Sequence, residues 1–316
     1  MVIGIDIGGT KINGAVFDED GDMFHHVSHL LEGRTGKNVG SLICQIIDEL
    51  MDSRKVENIE AIGVCVPGIA NVRTRKVWAP NIEGWENYPL QDEIEKHINR
   101  LSITVEIASD RTCYILGEKW RGNAIGCNNA AFIAVGTGIG IGLLVDGQVL
   151  HGHGDIVGAA GWLALEPDYQ EEFKSYGCFE SQASGAGIVL QTKKLLKTGK
   201  IFPKSLLYQK NIDFINTYDV FEAYNQNDEL AKQVIHKAVK MWGMAAANIV
   251  SLLNPEKIIW GGGVFGPAVR LINDIYTEAL RWAQPISIKQ VKFEKSELGG
   301  DAGLYGAGYL ALKSPE

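Results

Sequence analysis

A glycine-turned hairpin at the start of the chain is the feature that most constrains its fold, in the stretch GIDIGGTKINGAVFD from Gly4 to Asp18. β-Branched residues flank Gly8 and Gly9, which predicts two antiparallel strands joined by a tight loop. A second stretch, AAFIAVGTGIGIGLLVDGQVL, repeats this design and closes with Asp146 and Gly147, a pair typical of tight turns. Two copies of one motif predict two related halves.

Alternating helices and strands follow each hairpin, which is typical of an α/β protein. The apolar strand IEAIGVCVPG ends at Pro67 and Gly68, and the strand SITVEIAS is followed by a helix that begins at Asp110. With 316 residues, 46% of them hydrophobic, the chain can build two cores. We therefore predict two α/β domains that face each other across a central cleft, where ligands commonly bind.

Composition and charge exclude several classes of protein. The net charge is -8 and there is no basic stretch, so a nucleic acid is not an expected partner. No apolar run is long enough for a membrane span and no signal-peptide pattern is present, which predicts a cytoplasmic protein. The odd number of scattered cysteines predicts buried thiols and no disulfides. These residues are Cys44, Cys65, Cys113, Cys127 and Cys178.

The first glycine turn carries groups suited to a phosphate. Glycines let backbone N–H groups approach an anion, and Thr10 and Lys11 add a hydroxyl and a positive charge. A plain hairpin turn explains the glycines without a ligand. Asp6 favours a functional role, because a carboxylate between Ile5 and Ile7 is costly to bury without a metal, water or a partner. A carboxylate beside such a turn indicates Mg²⁺–nucleotide chemistry.

Two further glycine-rich stretches support this interpretation. GTGIGIG, which begins at Gly136, has strand-like residues on both sides, whereas a Rossmann loop joins a strand to a helix. In WGGGV the glycines Gly261, Gly262 and Gly263 directly follow an apolar strand, where backbone can pack against a flat or charged ligand. Each stretch alone is a weak signal, and the three together favour a nucleotide site.

The motifs GIDIGGTK, PNIEGW, GTGIGIGLLVDGQ, GCFE and IIWGGGV, in this order, resemble those of the ROK family of sugar kinases and repressors. The resemblance spans nearly the full length of the chain. It implies a fold similar to that of actin and hexokinase, with two ribonuclease-H-like domains and ATP in the cleft between them. The implied small domain comprises residues 1–108 plus about 300–316, and the large domain comprises residues 109–299.

The resemblance implies a nucleotide site built from three loops. The first phosphate loop would comprise Gly8, Gly9, Thr10 and Lys11, with Asp6 near the Mg²⁺. The second phosphate loop would comprise Gly136, Thr137 and Gly138. The residues against the adenosine would be Gly261, Gly262 and Gly263. The implied cofactors are ATP and Mg²⁺.

The resemblance also implies a catalytic base and contacts to the acceptor. The base would be Asp110 in SDRT, where the family has an Asn-Asp-Ala-Asn-like stretch. Without the resemblance, a helix N-cap is the better explanation of Asp110, and the resemblance favours the catalytic role. The predicted sugar contacts are Asn81, Ser109, Trp162 and Glu180, and the alternative for Glu180 is a solvated acid in the first turn of a helix. One carboxylate suffices as a base, because phosphoryl transfer depends mostly on positioning and charge neutralisation.

The chain departs from the family pattern after the second hairpin. Where the family has a Glu-x-Gly-His stretch that contacts sugar and zinc, DIVGAAGWLALEP places Ala159 and Trp162. Of the family's zinc cysteines only Cys178 remains, so no zinc is expected, since a structural zinc site needs four ligands. His151 and His153 lack further ligands nearby in the sequence and are explained as exposed side chains.

These departures bear on the acceptor. Burying a sugar hydroxyl without its partner costs about 1–3 kcal/mol, so glucose should fit poorly. Trp162 offers a flat face to the C–H face of a sugar ring or to an N-acyl methyl group, which favours a modified hexose or a cyclic polyol. The alternative is that Trp162 fills the void left by the zinc site and never contacts substrate.

Two hypotheses follow for the function. The first is an ATP-dependent kinase acting on a hydroxyl of a hexose, a modified hexose or a related cyclic polyol, with the homodimer common in the family. The second is a non-catalytic sensor of the same fold that binds carbohydrate and nucleotide. The first phosphate loop begins close to Met1, and we therefore expect no N-terminal DNA-binding domain of the kind that repressors of the family carry.

Overall fold

The opening motif forms the predicted hairpin in the computed structural model of the chain. β1 (Val2–Ile7) and β2 (Lys11–Phe17) pair antiparallel, and the register ends at the facing residues Ile7 and Ile12. The loop of Gly8 to Thr10 therefore lies at the end of the hairpin. The structure describes residues 1–52, 58–99, 102–198 and 202–313.

The first sheet extends this hairpin on both sides. β3 (Met23–Leu30) pairs antiparallel with β2, while β4 (Ala61–Val66) and β7 (Thr104–Ser109) add in parallel beyond β1. A separate small hairpin consists of β5 (Ile69–Asn71) and β6 (Lys76–Trp78). The strand order is β3-β2-β1-β4-β7. The sequence did not predict β3, because its three histidines interrupt the apolar alternation.

The second sheet repeats this arrangement. β8 (Ala130–Val135) and β9 (Ile139–Val145) form the second glycine-turned hairpin. The remaining strands are β10 (Gln148–Val149), β11 (Lys257–Gly261) and β12 (Lys292–Lys295), and the order is β10-β9-β8-β11-β12. In both sheets an antiparallel hairpin is followed by two parallel strands, so the predicted α/β duplication is confirmed.

Helices connect and cover these strands. The earlier ones are α1 (Gly36–Met51), α2 (Leu90–Ile98), α3 (Asp110–Arg121), α4 (Phe173–Tyr176), α5 (Glu180–Ala183) and α6 (Gly185–Thr198). The later ones are α7 (Thr217–Asn225), α8 (Glu229–Leu253), α9 (Ile272–Ala279), α10 (Ser287–Gln290) and α11 (Ala302–Leu312). The helix predicted to begin at Asp110 is confirmed as α3, and a helix of mostly small residues near the C-terminus forms α11.

The chain divides into two compact units. The first comprises Met1–Gly126, Gln148–Val157 and the segment from Glu297, and the second comprises Cys127–Gly147 and Gly158–Ser296. The sequence-based boundary falls at residue 108, whereas the structure keeps α3 in the first unit because this helix packs against α11. The end of the predicted small domain, residues 314–316, lies outside the described residues.

Glycines allow α11 to approach its neighbours at backbone distance. A Cβ added to Gly306 of α11 would lie 1.8 Å from the carbonyl oxygen of Cys113 in α3. A Cβ added to Gly63 of β4 would lie 1.9 Å from the carbonyl oxygen of Ala307. Real Cβ atoms do not come this close to backbone. The small residues of α11 are therefore required by packing in the first unit.

All five cysteines are buried and free, as predicted. Among the helices of the described residues, none has the length and apolarity needed to cross a lipid bilayer.

Candidate active site

Asp110 begins α3 at the point where β7 ends. The N-cap of this helix is Ser109, whose hydroxyl accepts a hydrogen bond from the backbone N–H of Thr112 at 3.3 Å. The Asp110 carboxylate instead accepts from the backbone N–H of Arg111 at 2.8 Å. The capping role considered for Asp110 therefore belongs to Ser109, whose buried side chain is engaged in the helix terminus.

The two carboxyl groups of the predicted site in the first unit have pKa values raised to about 6. Burial raises the pKa of Asp110 to about 6, and the positive charge of Arg111 opposes this shift. Burial also raises the pKa of Asp6 to about 6; a hydrogen bond from the Cys65 thiol lowers this pKa and the charge of Asp110 raises it. A carboxyl group that titrates near neutral pH suits proton transfer, and such shifts are common at functional sites.

The surroundings of Asp6 come from two distant segments, β4 and the start of α11. Asp6 lies in β1 directly beside Cys65 of β4 in the parallel register. A Cβ added to Gly303 of α11 would lie 2.8 Å from the Asp6 carboxylate oxygen Oδ1, so glycine is needed there to make room for the carboxylate. The charge of Asp301 adds to the upward shift of the Asp6 pKa. The small-residue helix thus shapes the pocket of Asp6.

The loop of Gly8 to Lys11, predicted to bind phosphate, is closed by one backbone hydrogen bond. The N–H of Gly8 donates to the carbonyl oxygen of Lys11 at 2.9 Å. Gly9, Thr10 and Lys11 are exposed. A Cβ added to Gly9 would meet no other described atom within 4 Å. The hairpin geometry therefore leaves open space in front of this backbone, as a phosphate requires.

The loop of Gly136 to Gly138, also predicted to bind phosphate, is followed by Ile139, which is hydrogen-bonded to Glu180. Oε2 of this residue accepts a hydrogen bond from the backbone N–H of Ile139 at 2.7 Å. A Cβ added to Gly138 would lie 2.6 Å from this oxygen, and a Cβ added to Gly161 would lie 2.7 Å from it. Burial raises the pKa of Glu180, and the Ile139 hydrogen bond lowers it. Glu180 lies in the first turn of α5, as the alternative of a solvated first-turn acid predicted. Its carboxylate is not solvated alone, because it also accepts the hydrogen bond from Ile139.

The third glycine stretch borders a cavity of the second unit. Gly262 has φ +85° and a Cβ added there would lie 2.5 Å from the carbonyl oxygen of Val135, so only glycine fits. A Cβ on Gly263 would meet no described atom within 4 Å. The cavity has a volume of about 480 Å³. It is lined by Gly136, Thr137, Gly185, Ala186, Val189, Ile215, Asn216, Thr217, Tyr218, Gly263, Val264 and Pro267.

The glycine hairpins and loops carry motifs on which the resemblance to the ROK family was based, and a family comparison gives the same result. The model of the ROK family matches residues 2–314. The chain belongs to the ROK family. Its two sheets and their helices have the actin- and hexokinase-like fold of ROK sugar kinase structures, as predicted.

Relatives of this ROK protein include both kinases and repressors by name. The glucokinase of Halalkalibacterium halodurans is 31% identical, and the alignment covers 98% of this chain and 94% of that protein. The xylose repressor of Caldicellulosiruptor bescii is 25% identical over 89% of this chain and 69% of that protein. The structure of a ROK family glucokinase from Streptomyces griseus in complex with glucose and AMPPNP has a TM-score of 0.79 and 28% identity, covering 99% of each chain.

The remaining predicted contacts lie on loops of the two units. Asn81 is exposed between β6 and α2 in the first unit. The loop that carries it is anchored by Trp85, which is buried, stacks on Tyr88 and donates from its indole N–H to the carbonyl oxygen of Gly36 at 3.0 Å. In the second unit Trp162 is 59% exposed, which excludes the alternative that its ring fills an internal void.

The histidine pair belongs to a loop of the first unit. His151 Nδ1 lies 3.4 Å from Asp155 Oδ1, and His151 and His153 are both exposed. Within the described ranges, no three His, Cys, Asp or Glu side chains are grouped so as to hold a metal ion.

Three residues beside the predicted site were not predicted from the sequence. These are Cys65 and Gly303, which contact Asp6, and Arg111, which follows the predicted base. Cys65 and Gly303 carry no signal in the sequence, because only strand register and helix packing bring them to Asp6. Arg111 was visible in SDRT, where the family pattern places alanine.

Proposed function

We propose that this ROK protein is an ATP-dependent carbohydrate kinase that transfers the γ-phosphoryl group to a hydroxyl of a hexose, a modified hexose or a related cyclic polyol. The observation that carries the proposal is the Asp110 carboxylate, which is relieved of helix capping by Ser109 and has a pKa of about 6. Such a group is ionised at neutral pH and is basic enough to accept a proton from an alcohol as its oxygen attacks.

The proposed mechanism needs one proton acceptor and several charge-neutralising groups. Asp110 would hold the acceptor hydroxyl and take its proton. Lys11 and the exposed backbone of Gly9 and Thr10 would bind phosphate oxygens. Because the transition state of phosphoryl transfer is loose, positioning and charge neutralisation supply most of the rate enhancement.

The cavity of the second unit supports a bound nucleoside. Its volume of about 480 Å³ lies within the range of small-molecule sites. Gly136 and Gly263 both line it, and a Cβ on either would point into space free of described atoms. Bare backbone at two points of one cavity is the arrangement expected where a flat base or a phosphate approaches closely.

Gly263→Val is expected to raise the KM for ATP or the Kd for ADP by about 10- to 100-fold, because the added methyl groups enter this cavity. Gly263→Ala should have a smaller effect, since a single Cβ fits the open space. Calorimetric titration with ADP measures the affinity, and thermal unfolding verifies that both variants fold. Wild-type ADP affinity in the valine variant would show that the nucleotide binds elsewhere.

Asp6 fits a role toward Mg²⁺. Its carboxylate is buried beside the first phosphate loop, and Mg²⁺ in kinases is usually held by one or two carboxylates together with substrate phosphates. When bound, Mg²⁺ neutralises charge on the phosphates. The Cys65 thiol is hydrogen-bonded to the Asp6 carboxylate, and the lack of a Cβ at Gly303 leaves room for this carboxylate.

The acceptor is proposed from the side chains that replace the family's polar contacts. Trp162 exposes most of its ring, and Ala159 is exposed beside the same turn. Glu180 uses one carboxylate oxygen for Ile139, which leaves Oε1 for a ligand hydroxyl. An exposed indole suits a sugar with an apolar substituent. Trp162, Glu180 and Asn81 are therefore the proposed acceptor contacts. Ser109 is buried at the N-terminus of α3, and it would contact the acceptor only at that helix end.

A sensor that binds carbohydrate without turnover is the second candidate, favoured by the similarity to a xylose repressor. A coupled assay of ADP release, run over hexoses, amino sugars, N-acetyl sugars, ketoses and inositols, separates the two. Turnover on any member supports the kinase. Nucleotide binding without turnover on every member supports the sensor. The cytoplasmic location, the homodimer and the lack of a nucleic-acid partner stay predictions.

The activity is expected to fall at low pH because of Asp110. Its pKa in the folded protein is raised to about 6, and only the ionised form accepts a proton, so kcat/KM should be constant above about pH 7 and fall about tenfold per unit below pH 6. The measurement is a pH–rate profile at saturating ATP. The residual activity of Asp110→Asn should fall less steeply below pH 6 than that of the wild type, because Asp6, whose pKa is also about 6, still titrates in this variant.

A further inference from the structure

Arg111 places a guanidinium next to the proposed base. Its side chain is half-buried, and its two terminal nitrogens donate to the carbonyl oxygens of Gly68 at 3.3 Å and Ile156 at 3.4 Å. Both distances are longer than a typical N–H···O hydrogen bond. The guanidinium therefore lies between the turn after β4 and the loop of residues 150–157, held loosely by backbone alone.

The charge of Arg111 has no carboxylate partner at salt-bridge distance in the described part of the chain. Other arginines do have one, at distances within 4.0 Å, namely Arg34, Arg75, Arg121 and Arg281. A guanidinium has five N–H donors, and the hydrogen bonds of Arg111 to the described residues engage two of its nitrogens once each. The remaining donors of this half-buried guanidinium are not sealed in the interior, and they are therefore available to a ligand.

The elements around Arg111 are those of the proposed acceptor site in the first unit. Arg111 directly follows Asp110. A Cβ on Gly68 would lie 2.1 Å from the carbonyl oxygen of Trp78, so the strand that leads into the Asn81 loop lies against this turn. The guanidinium thus lies where the segments of the proposed base and of a proposed sugar contact converge.

We propose that Arg111 is a specificity-determining residue that binds an anionic substituent, a carboxylate or a phosphate, on the carbohydrate acceptor. This inference rests on the proposed kinase function. The first unit already concentrates the charges of Asp6, Asp110 and Asp301, which repel an anion. The planar fork of an arginine is suited to overcome this repulsion, because it binds carboxylate and phosphate with two parallel hydrogen bonds.

The test uses neutral sugars and their anionic counterparts as matched probes. Glucose is compared with glucuronate and with glucose 6-phosphate, and galactose is compared with galacturonate and with galactose 6-phosphate. The uronates and the 6-phosphates distinguish a carboxylate from a phosphate. The wild type, Arg111→Ala and Arg111→Lys are assayed with each probe. The control is Arg121→Ala on the same helix, whose side chain instead pairs with the carbonyl oxygen of Asp20 at 2.7 Å and with Asp22 at 3.0 Å.

The expected result is a loss confined to the anionic probes. Arg111→Ala should lower kcat/KM for the preferred anionic acceptor by about 10- to 100-fold, the effect of losing a charged hydrogen bond. At about pH 9, where Asp110 is ionised with or without the charge of Arg111, kcat/KM for neutral sugars should change by less than about threefold. Arg111→Lys should be intermediate, and Arg121→Ala should resemble the wild type. Equal losses of kcat/KM on neutral and anionic probes would overturn the inference. They would show that Arg111 acts through its effect on the charge of Asp110.

Calorimetry separates this inference from the kinase proposal. Each anionic probe is titrated into the wild type and Arg111→Ala in the presence of AMPPNP, where no turnover is needed. Arg111-dependent binding without turnover supports the inference and counts against the kinase. Turnover of neutral sugars without binding of any anionic probe supports the kinase and overturns the inference.

Discussion

Asp110→Asn is expected to lower kcat by about 1,000-fold while leaving the KM for ATP within about twofold of the wild type. The asparagine carboxamide keeps the shape of the side chain and can still accept a hydrogen bond from the Arg111 N–H, but it cannot take the proton of the acceptor hydroxyl. The measurement is steady-state kinetics on whichever acceptor the coupled assay identifies.

Stability provides an internal control for this variant. Burial raises the pKa of Asp110 above its ordinary value, so the ionised carboxylate is destabilising in the folded state. For such a group the free energy of unfolding decreases as pH rises from about 4 through about 6. Asp110→Asn removes this buried charge, and its free energy of unfolding at pH 8 should equal or exceed that of the wild type.

Glu229→Gln is the matched control, and it tests whether removing any carboxylate from the first turn of a helix lowers kcat. Glu229 occupies the corresponding first turn of α8 and is exposed beside Lys232. Glu229→Gln should leave kcat unchanged. If Asp110→Asn retained more than about a tenth of the wild-type kcat, Asp110 would be a structural residue of α3 and not the base.

Gly306→Ala is expected to lower the free energy of unfolding by about 3 kcal/mol. In an isolated helix the same change would stabilise by about 1 kcal/mol, because alanine has the higher helix propensity. In the folded chain the new methyl group would lie 1.8 Å from the carbonyl oxygen of Cys113. Backbone cannot rotate away as a side chain can, so α11 must move from α3 and the packing loss exceeds the propensity gain.

Gly300→Ala is the matched control for this prediction. It lies just before α11, and a Cβ there would meet no described atom within 4 Å. Its free energy of unfolding should change by less than about 0.5 kcal/mol. Chemical denaturation curves of the two variants measure the difference. Equal midpoints would show that α11 can shift at little cost and that its glycines are not packing residues.

The glycine loops and the candidate carboxylates were predictable because their signals are local. In GIDIGGTK the carboxylate, the turn and the cation are neighbours in the chain, so a single hairpin places them together whatever the rest of the fold does. The same holds for GTGIGIG and for Asp110 at a strand-to-helix corner. Residue order within about ten positions therefore suffices to predict these loops and the α/β duplication.

The environment of these groups depends on contacts between distant segments. Whether Asp110 or Ser109 caps α3 is decided by backbone geometry at one residue, which composition does not encode. The pKa of Asp6 depends on burial beside Cys65 and Gly303, the role of Glu180 on the Ile139 N–H, and the position of Arg111 on Gly68 and Ile156. Burial, hydrogen bonding and close packing arise only when strands and helices far apart in the chain meet. For that reason the chain's local order determines which chemical groups are present, and tertiary packing determines how each of them is charged, held and exposed.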